Sequence, residues 1–291
     1  MSTMNRWLLG ARPRTLPAAV VPVALGAAAA VGEPHPVWWR AVLALVVSLA
    51  LQVGVNYAND YSDGVRGTDD VRVGPARLVA GGLAEASAVK RAALAAFGAA
   101  AAAGLVLAAT TSWWLLAVGA AAILAAWFYT GGPKPYGYLG LGEVFVFVFF
   151  GLVATTGTTY AVCRRITGMA WWAAVAAGCL ACALLVVNNL RDIPTDRGVG
   201  KRTLAVRLGD RATRWLYLGL LIASMAVVVV LGATGRPWAL LGLAGAVVAV
   251  PAVKAIRGGA AGRSLIPVLG ATGRVQLATG LLTALGLALS A

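Results

Sequence analysis

The sequence predicts an all-α integral membrane protein with nine transmembrane helices and a cytoplasmic N-terminus. Three observations carry this. The 291 residues are 60% hydrophobic and only 12% charged, with mean hydropathy +0.83, beyond what a soluble domain of this size requires. Nine apolar runs approach the roughly 20 residues a helix needs to cross a bilayer core, and no alternating ten-residue strands appear. Placing nine spans puts 20 of the 24 Lys and Arg on one side and only Arg40, Arg164, Arg165 and Arg236 on the other. The basic side is cytoplasmic by the positive-inside rule, and one span more or fewer would scramble the split.

The first run, 15–32, follows Arg6, Arg12 and Arg14 and ends in three alanines, as a leader peptide would; Pro17 and Pro22 interrupt it, so we read a retained span. The second, 37–57, closes in a polar cluster. A long basic loop, 58–87, precedes the third and fourth runs, 88–110 and 112–130. The turn that follows contains a single basic residue, Lys134. The fifth run, 140–161, carries Thr155, Thr156, Thr158 and Thr159. The sixth, 169–190, holds Cys179 and Cys182, which read as small hydrophobes, and closes in a second polar cluster. A second long loop, 191–212, leads to runs at 213–233, 236–253 and 270–290. The pairs Trp38-Trp39, Trp113-Trp114 and Trp171-Trp172 fall on the far side as an interfacial belt. The chain reads as one domain, 1–291. Because the clusters close runs two and six, a pseudo-repeat of helices 1–4 and 5–8 is expected.

Net charge is +14. In a soluble protein that would suggest nucleic acid. Here the basic residues sit in loops, facing lipid headgroups or an anionic substrate, and nucleic-acid binding is excluded. The acids are more informative: nine of the ten fall on the basic side, although the rule that sorts Lys and Arg does not govern Asp and Glu. A catalytic face explains this most simply.

The two clusters are Asn56-Tyr-Ala-Asn59-Asp60-Tyr-Ser-Asp63 and Asn188-Asn189-Leu-Arg191-Asp192-Ile-Pro-Thr-Asp196. Asn56 and Asp60 share a helix face at i,i+4, as do Asn188 and Asp192. Asp63 lies one turn beyond Asp60, and Gly64 and Gly67 let the helix stop. Pro194 biases Ile193 away from helix, which places Asp196 in a loop. Mg²⁺ prefers one or two carboxylates plus substrate phosphates, so two facing Asp pairs suit a diphosphate bridged by Mg²⁺. Arg66, Lys134, Arg191 and Lys201 are the candidate cations for that diphosphate. A diphosphate at a membrane face implies a lipid tail, and a polyprenyl diphosphate supplies both. Loss of diphosphate leaves an allylic cation that an aromatic ring can attack in a site that excludes water.

Four segments carry a family resemblance: Gly10-Ala-Arg12-Pro-Arg14-Thr-Leu-Pro17, the first cluster through Arg66 and Asp69, Tyr129-Thr-Gly-Gly-Pro-Lys134-Pro-Tyr136-Gly-Tyr138, and the second cluster through Lys201 to Gly209. With these the chain resembles the UbiA-type intramembrane aromatic prenyltransferases along nearly its whole length, most closely the branch that acts on 1,4-dihydroxy-2-naphthoate. The resemblance implies nine helices around a central cavity, with a lateral opening for the tail; the positive-inside rule turns the active site to the cytoplasmic side of the cell membrane. It implies catalytic, Mg²⁺-holding roles for Asp60, Asp63, Asp192 and Asp196. The family's further Asp, four residues after Asp63, is Gly67 here, with Asp69 and Asp70 just beyond. Arg12 and Arg14 are candidates for the acceptor carboxylate, Asn56 and Asn188 for its hydroxyls or for orienting the acids, and Tyr129 for the cation through its π-face. Another acceptor, such as 4-hydroxybenzoate, is the competing reading within the family. A secondary transporter is the competing class, but it would place ionisable residues near mid-bilayer rather than at one face.

Overall fold

The computed structural model describes residues 3–69 and 74–291, with side chains described from Arg6 onward. Asp70 and Arg72 lie outside the described residues. A short helix, α1 (Thr3–Ala11), precedes the spans. It is followed by α2 (Pro17–Ala28), α3 (Trp39–Val65), α4 (Ala86–Thr110), α5 (Trp114–Phe128) and α6 (Gly142–Cys163). The remaining helices are α7 (Gly168–Gly198), α8 (Leu204–Ala233), α9 (Pro237–Arg257) and α10 (Gly262–Leu289). Seven of these are long and apolar enough to cross a membrane, and α2 and α5 are shorter apolar helices, so the nine expected spans all have a counterpart.

The differences from expectation are at the inner ends. Helix α3 continues eight residues past the apolar run, and α7 continues to Gly198. At 1.5 Å per residue they reach about 40 and 46 Å, well beyond a hydrocarbon core of about 30 Å. Apolarity marks where lipid ends, not where a helix ends. The aspartates of both clusters therefore stand on helical turns that extend beyond the apolar runs. The expected loop position of Asp196 is corrected: Pro194 lies inside α7, so Asp192 and Asp196 are one turn apart on one helix. Proline removes a single N–H, the one that would have donated to Leu190 O, and the helix continues through it; one residue on, the Thr195 hydroxyl donates to Asp192 O (3.0 Å). The long second loop is also corrected. Only 199–203 separates α7 from α8, whose first turns are offset from the span by a break at Gly209 (φ 77°).

The four basic residues on the far side have structural work. Arg40 donates to the carbonyls of Thr110 and Ala161, and Arg164 donates to Thr110 O. Arg236 donates to Leu287 O and Val31 O. Each carbonyl belongs to the C-terminal end of a helix or the turn just after it, where orphan acceptors and the negative end of the helix dipole attract cations. Arg165 pairs with Glu33 (3.4 Å). These contacts draw the outer ends of α3, α4 and α6 to one level. The Trp pairs are exposed there, as a belt requires, and Cys179 and Cys182 are buried. In α6, Phe147–Val153 forms a π-helical stretch, which turns Phe149 and Phe150 towards the interior cavity.

Candidate active site

A cavity of about 730 Å³ lies within the bundle. Asp60, Asp63, Asp192 and Asp196 all line it, at the end near the basic loops. Asp60, Asp63 and Asp192 are buried. The two clusters are linked directly through Lys201. Its ammonium pairs with Asp63 Oδ2 (3.1 Å), while its backbone N–H donates to Asp196 O (2.9 Å). Gly74, in the loop after the first cluster, also lies near Arg191: a Cβ added there would be 3.4 Å from the guanidinium carbon.

Three of the four acids have a defined local reason for their position. Both Asp60 oxygens accept backbone N–H bonds, from Leu78 and Val79, each at 3.0 Å. Asp60 therefore anchors the loop 74–84 over the cavity while keeping lone pairs for another ligand. Asp63 accepts the Tyr138 hydroxyl (2.6 Å) besides Lys201. Asp192 is held bidentately by Arg191, at 2.7 Å to each oxygen, and Arg191 also donates to Asn188 (2.9 Å). Such fork-to-fork pairing fixes both groups in one plane. Burial alone would lower the Lys201 pKa, but Asp63, Tyr138 and Asp196 together raise it above the usual lysine value. The ammonium thus stays charged beneath the loop, 4.6 Å from the Tyr138 ring centroid. Burial, then Asp63, push the Tyr138 phenol up.

Among the described residues no three His, Cys, Asp or Glu groups converge to cage a metal by themselves. The donor set still fits Mg²⁺, which binds through one or two hard carboxylates and takes its remaining ligands from water and phosphate.

The other expected residues divide. Arg12, Arg14, Asn56, Asn188 and Tyr129 line the cavity, as do Arg191 and Lys201. Asn56 is a tie for the N-terminal turn: its side-chain amide N–H donates to Ala11 O (2.8 Å) and the Thr15 hydroxyl (3.0 Å), and its backbone carbonyl accepts from Arg12 (3.2 Å). It thereby holds the segment that presents Arg12 and Arg14. Arg66 and Lys134 are not among the lining residues. Arg66 is turned away to close the carbonyls of Thr130 and Gly132, and Lys134 is exposed at its turn. Of the four threonines in α6, only Thr158 lines the cavity.

Four features were not read from the sequence. Arg77 lines the cavity, buried, beside Asp69 (3.1 Å). Nothing in the sequence separates it from the other loop arginines. Asn189 lines the cavity and donates to the buried Glu143 carboxylate (2.9 Å). Tyr138 is the bridge between Asp63 and Lys201. Finally, Tyr129, Tyr136, Phe145 and Phe149 form a continuous aromatic wall, with successive centroids 5.5, 3.9 and 6.1 Å apart. The sequence exposes only its first members, in the Tyr129–Tyr136 turn. Beyond this wall the lining is mostly apolar, with Ser48 and Thr158 among its few polar members.

The UbiA prenyltransferase family model matches residues 19–264. The chain is 53% identical over 289 residues to the 1,4-dihydroxy-2-naphthoate octaprenyltransferase of Mycobacterium tuberculosis, covering 99% of this chain and 98% of the relative. Identity to the Mycobacterium leprae protein of the same name is 49%, over 94% and 92% of the two chains. Among solved structures, a UbiA homolog from Archaeoglobus fulgidus bound to GPP and Mg²⁺ superposes with TM-score 0.63 at 14% identity, covering 97% of this chain and 99% of that one. Sequence along most of the chain and the shape of the bundle agree: this protein belongs to the UbiA prenyltransferase family.

Proposed function

We propose that the chain transfers a polyprenyl group from a polyprenyl diphosphate to 1,4-dihydroxy-2-naphthoate, releasing CO₂ and diphosphate and giving demethylmenaquinol, at the cytoplasmic face of the cell membrane. The observation that carries the reaction class is the shared lining: two acid clusters, 132 residues apart in sequence, border one cavity that becomes mostly apolar further in. The acceptor rests on the curated relatives at 53% and 49% identity. The orientation rests on the Lys and Arg split.

Asp60, Asp63, Asp192 and Asp196 would hold Mg²⁺. When bound, Mg²⁺ neutralises the diphosphate and so makes it a better leaving group. Arg191, Lys201 and Arg77 border the same space and supply the cations for the phosphate oxygens. The first two are paired with Asp192 and Asp63, so they are already oriented. The aromatic wall presents π-faces where the allylic cation develops, and it keeps water from capturing that cation. Arg12 and Arg14 receive the acceptor carboxylate, on the segment that Asn56 holds.

Two measurements test this. Membranes containing the chain, given a labelled polyprenyl diphosphate, are expected to prenylate 1,4-dihydroxy-2-naphthoate and not 4-hydroxybenzoate; the reverse preference would overturn the acceptor. Arg14→Ala is expected to raise the acceptor KM about tenfold or more while changing the donor KM little, as loss of a charged contact does. Equal effects on both would assign Arg14 a purely structural part.

A further inference from the structure

The glycines within the spans fall into two groups. In the first, an added Cβ would collide with a neighbouring helix: at Gly54 it would lie 2.5 Å from Phe97, and at Gly178 2.6 Å from Phe147. Close helix approach requires glycine there. Gly104, Gly119 and Gly157 are different. A Cβ at Gly119 or Gly157 would meet nothing within 4 Å, and at Gly104 only Val47 Cγ2 at 4.0 Å. None has a positive φ. Neither packing nor backbone conformation demands glycine at these positions, yet all three line the cavity.

They also stand at one depth. Each is five or six residues from the outer end of its helix, α4, α5 or α6, which is about 8–9 Å. Arg40 and Arg164 hold the outer ends of α4 and α6 together. Val23 and Ala44 stand at the same depth, and with Leu107, Ala161 and Leu115, which lie nearer the outer ends, they pack into one apolar cluster. Along α3 the lining runs from Asp60 to Ala44, about 24 Å of helix. The glycines thus ring the end farthest from the carboxylates. Leu116 and Val118 of α5 line the same region and are exposed, so the wall stands open on that side.

We propose that Gly104, Gly119 and Gly157 form the passage for the distal isoprene units of a long donor, and that their missing side chains set the tail length the protein accepts. This rests on the prenyl-transfer reading above. A branched hydrocarbon chain needs room on several sides at once, and three glycines at one level supply it. A donor of two isoprene units ends before reaching them; one of eight units must pass.

The test compares kcat/KM for geranyl and octaprenyl diphosphate with the acceptor held constant. Gly119→Phe and Gly157→Leu are expected to lower the octaprenyl value about tenfold or more relative to the geranyl value, in the range that misfit of small apolar groups produces. Gly98→Leu is the control. Gly98 has the same open surroundings but does not line the cavity, and its ratio is expected to match the unmodified chain. Thermal unfolding in detergent establishes that each variant is folded, and Gly119→Ala gives a smaller step should the phenylalanine variant unfold. An unchanged ratio in folded variants, or equal loss with both donors, overturns the proposal. Failure of the unmodified chain to prenylate with either donor would instead reject the prenyl-transfer reading.

Discussion

Replacing Asp192 by asparagine is expected to lower prenyl transfer by about 100- to 1000-fold or more, the scale of removing a charge-stabilising group from an active site. The substitution keeps shape and leaves Arg191 one oxygen to bond. It removes the negative charge that would hold a cation opposite the first cluster. Asp192→Ala goes further, because it strips a buried guanidinium of its bidentate partner; losing one member of such a pair costs about 3–5 kcal/mol. Asp60→Ala is expected to be equally inactive and also less stable. It leaves the Leu78 and Val79 N–H groups unpartnered, at about 1–3 kcal/mol each, and frees the loop that carries Arg77. Turnover and thermal unfolding, measured on the same detergent preparations, separate the two effects. Normal turnover in a folded Asp192→Asn protein would reject the assignment of the second cluster to the metal-diphosphate site.

Chelation is expected to have the second large effect. EDTA should reduce turnover to background, and Mg²⁺ added in excess should restore it. The reason lies in how the acids are satisfied. In this structure Lys201 and Arg191 already neutralise Asp63 and Asp192 within a largely buried site. A diphosphate entering without a divalent ion would bring its negative charges beside four carboxylates, with only the nearby basic side chains to offset them. Lys201 is held above its usual pKa by its acidic neighbours, so it stays a cation, and its single positive charge is already matched by Asp63. Turnover that persists after exhaustive chelation would show that those side chains suffice and would remove Mg²⁺ from the proposal.

Much of this was legible in the sequence. Long apolar runs report the bilayer, because no other solvent tolerates them, and the Lys and Arg split fixes their number. The acid clusters stood out because carboxylates are scarce in this chain and gather where no topological rule sends them. Helix ends were less legible. Asp60, Asp63, Asp192 and Asp196 lie on helical turns that outrun the apolar runs, and Pro194 was tolerated where local preference pointed to a break. The cations were the least legible. Arg66 and Arg77 both follow the first cluster at loop spacing, yet one turns away to the carbonyls of Thr130 and Gly132 and the other is buried at the cavity.

The sequence by itself determined the solvent, the count of spans, the side on which the acids gather and the family. These follow from composition and from residues read along the chain. The tertiary structure alone decided which side chains share the cavity: Lys201 joining Asp63 to the second cluster, Asp60 fastening the loop of Arg77, the aromatic wall from Tyr129 to Phe149, and three glycines at one depth. Each depends on a distance between segments far apart in the chain, set by how the helices pack, and such distances leave no periodic or compositional trace.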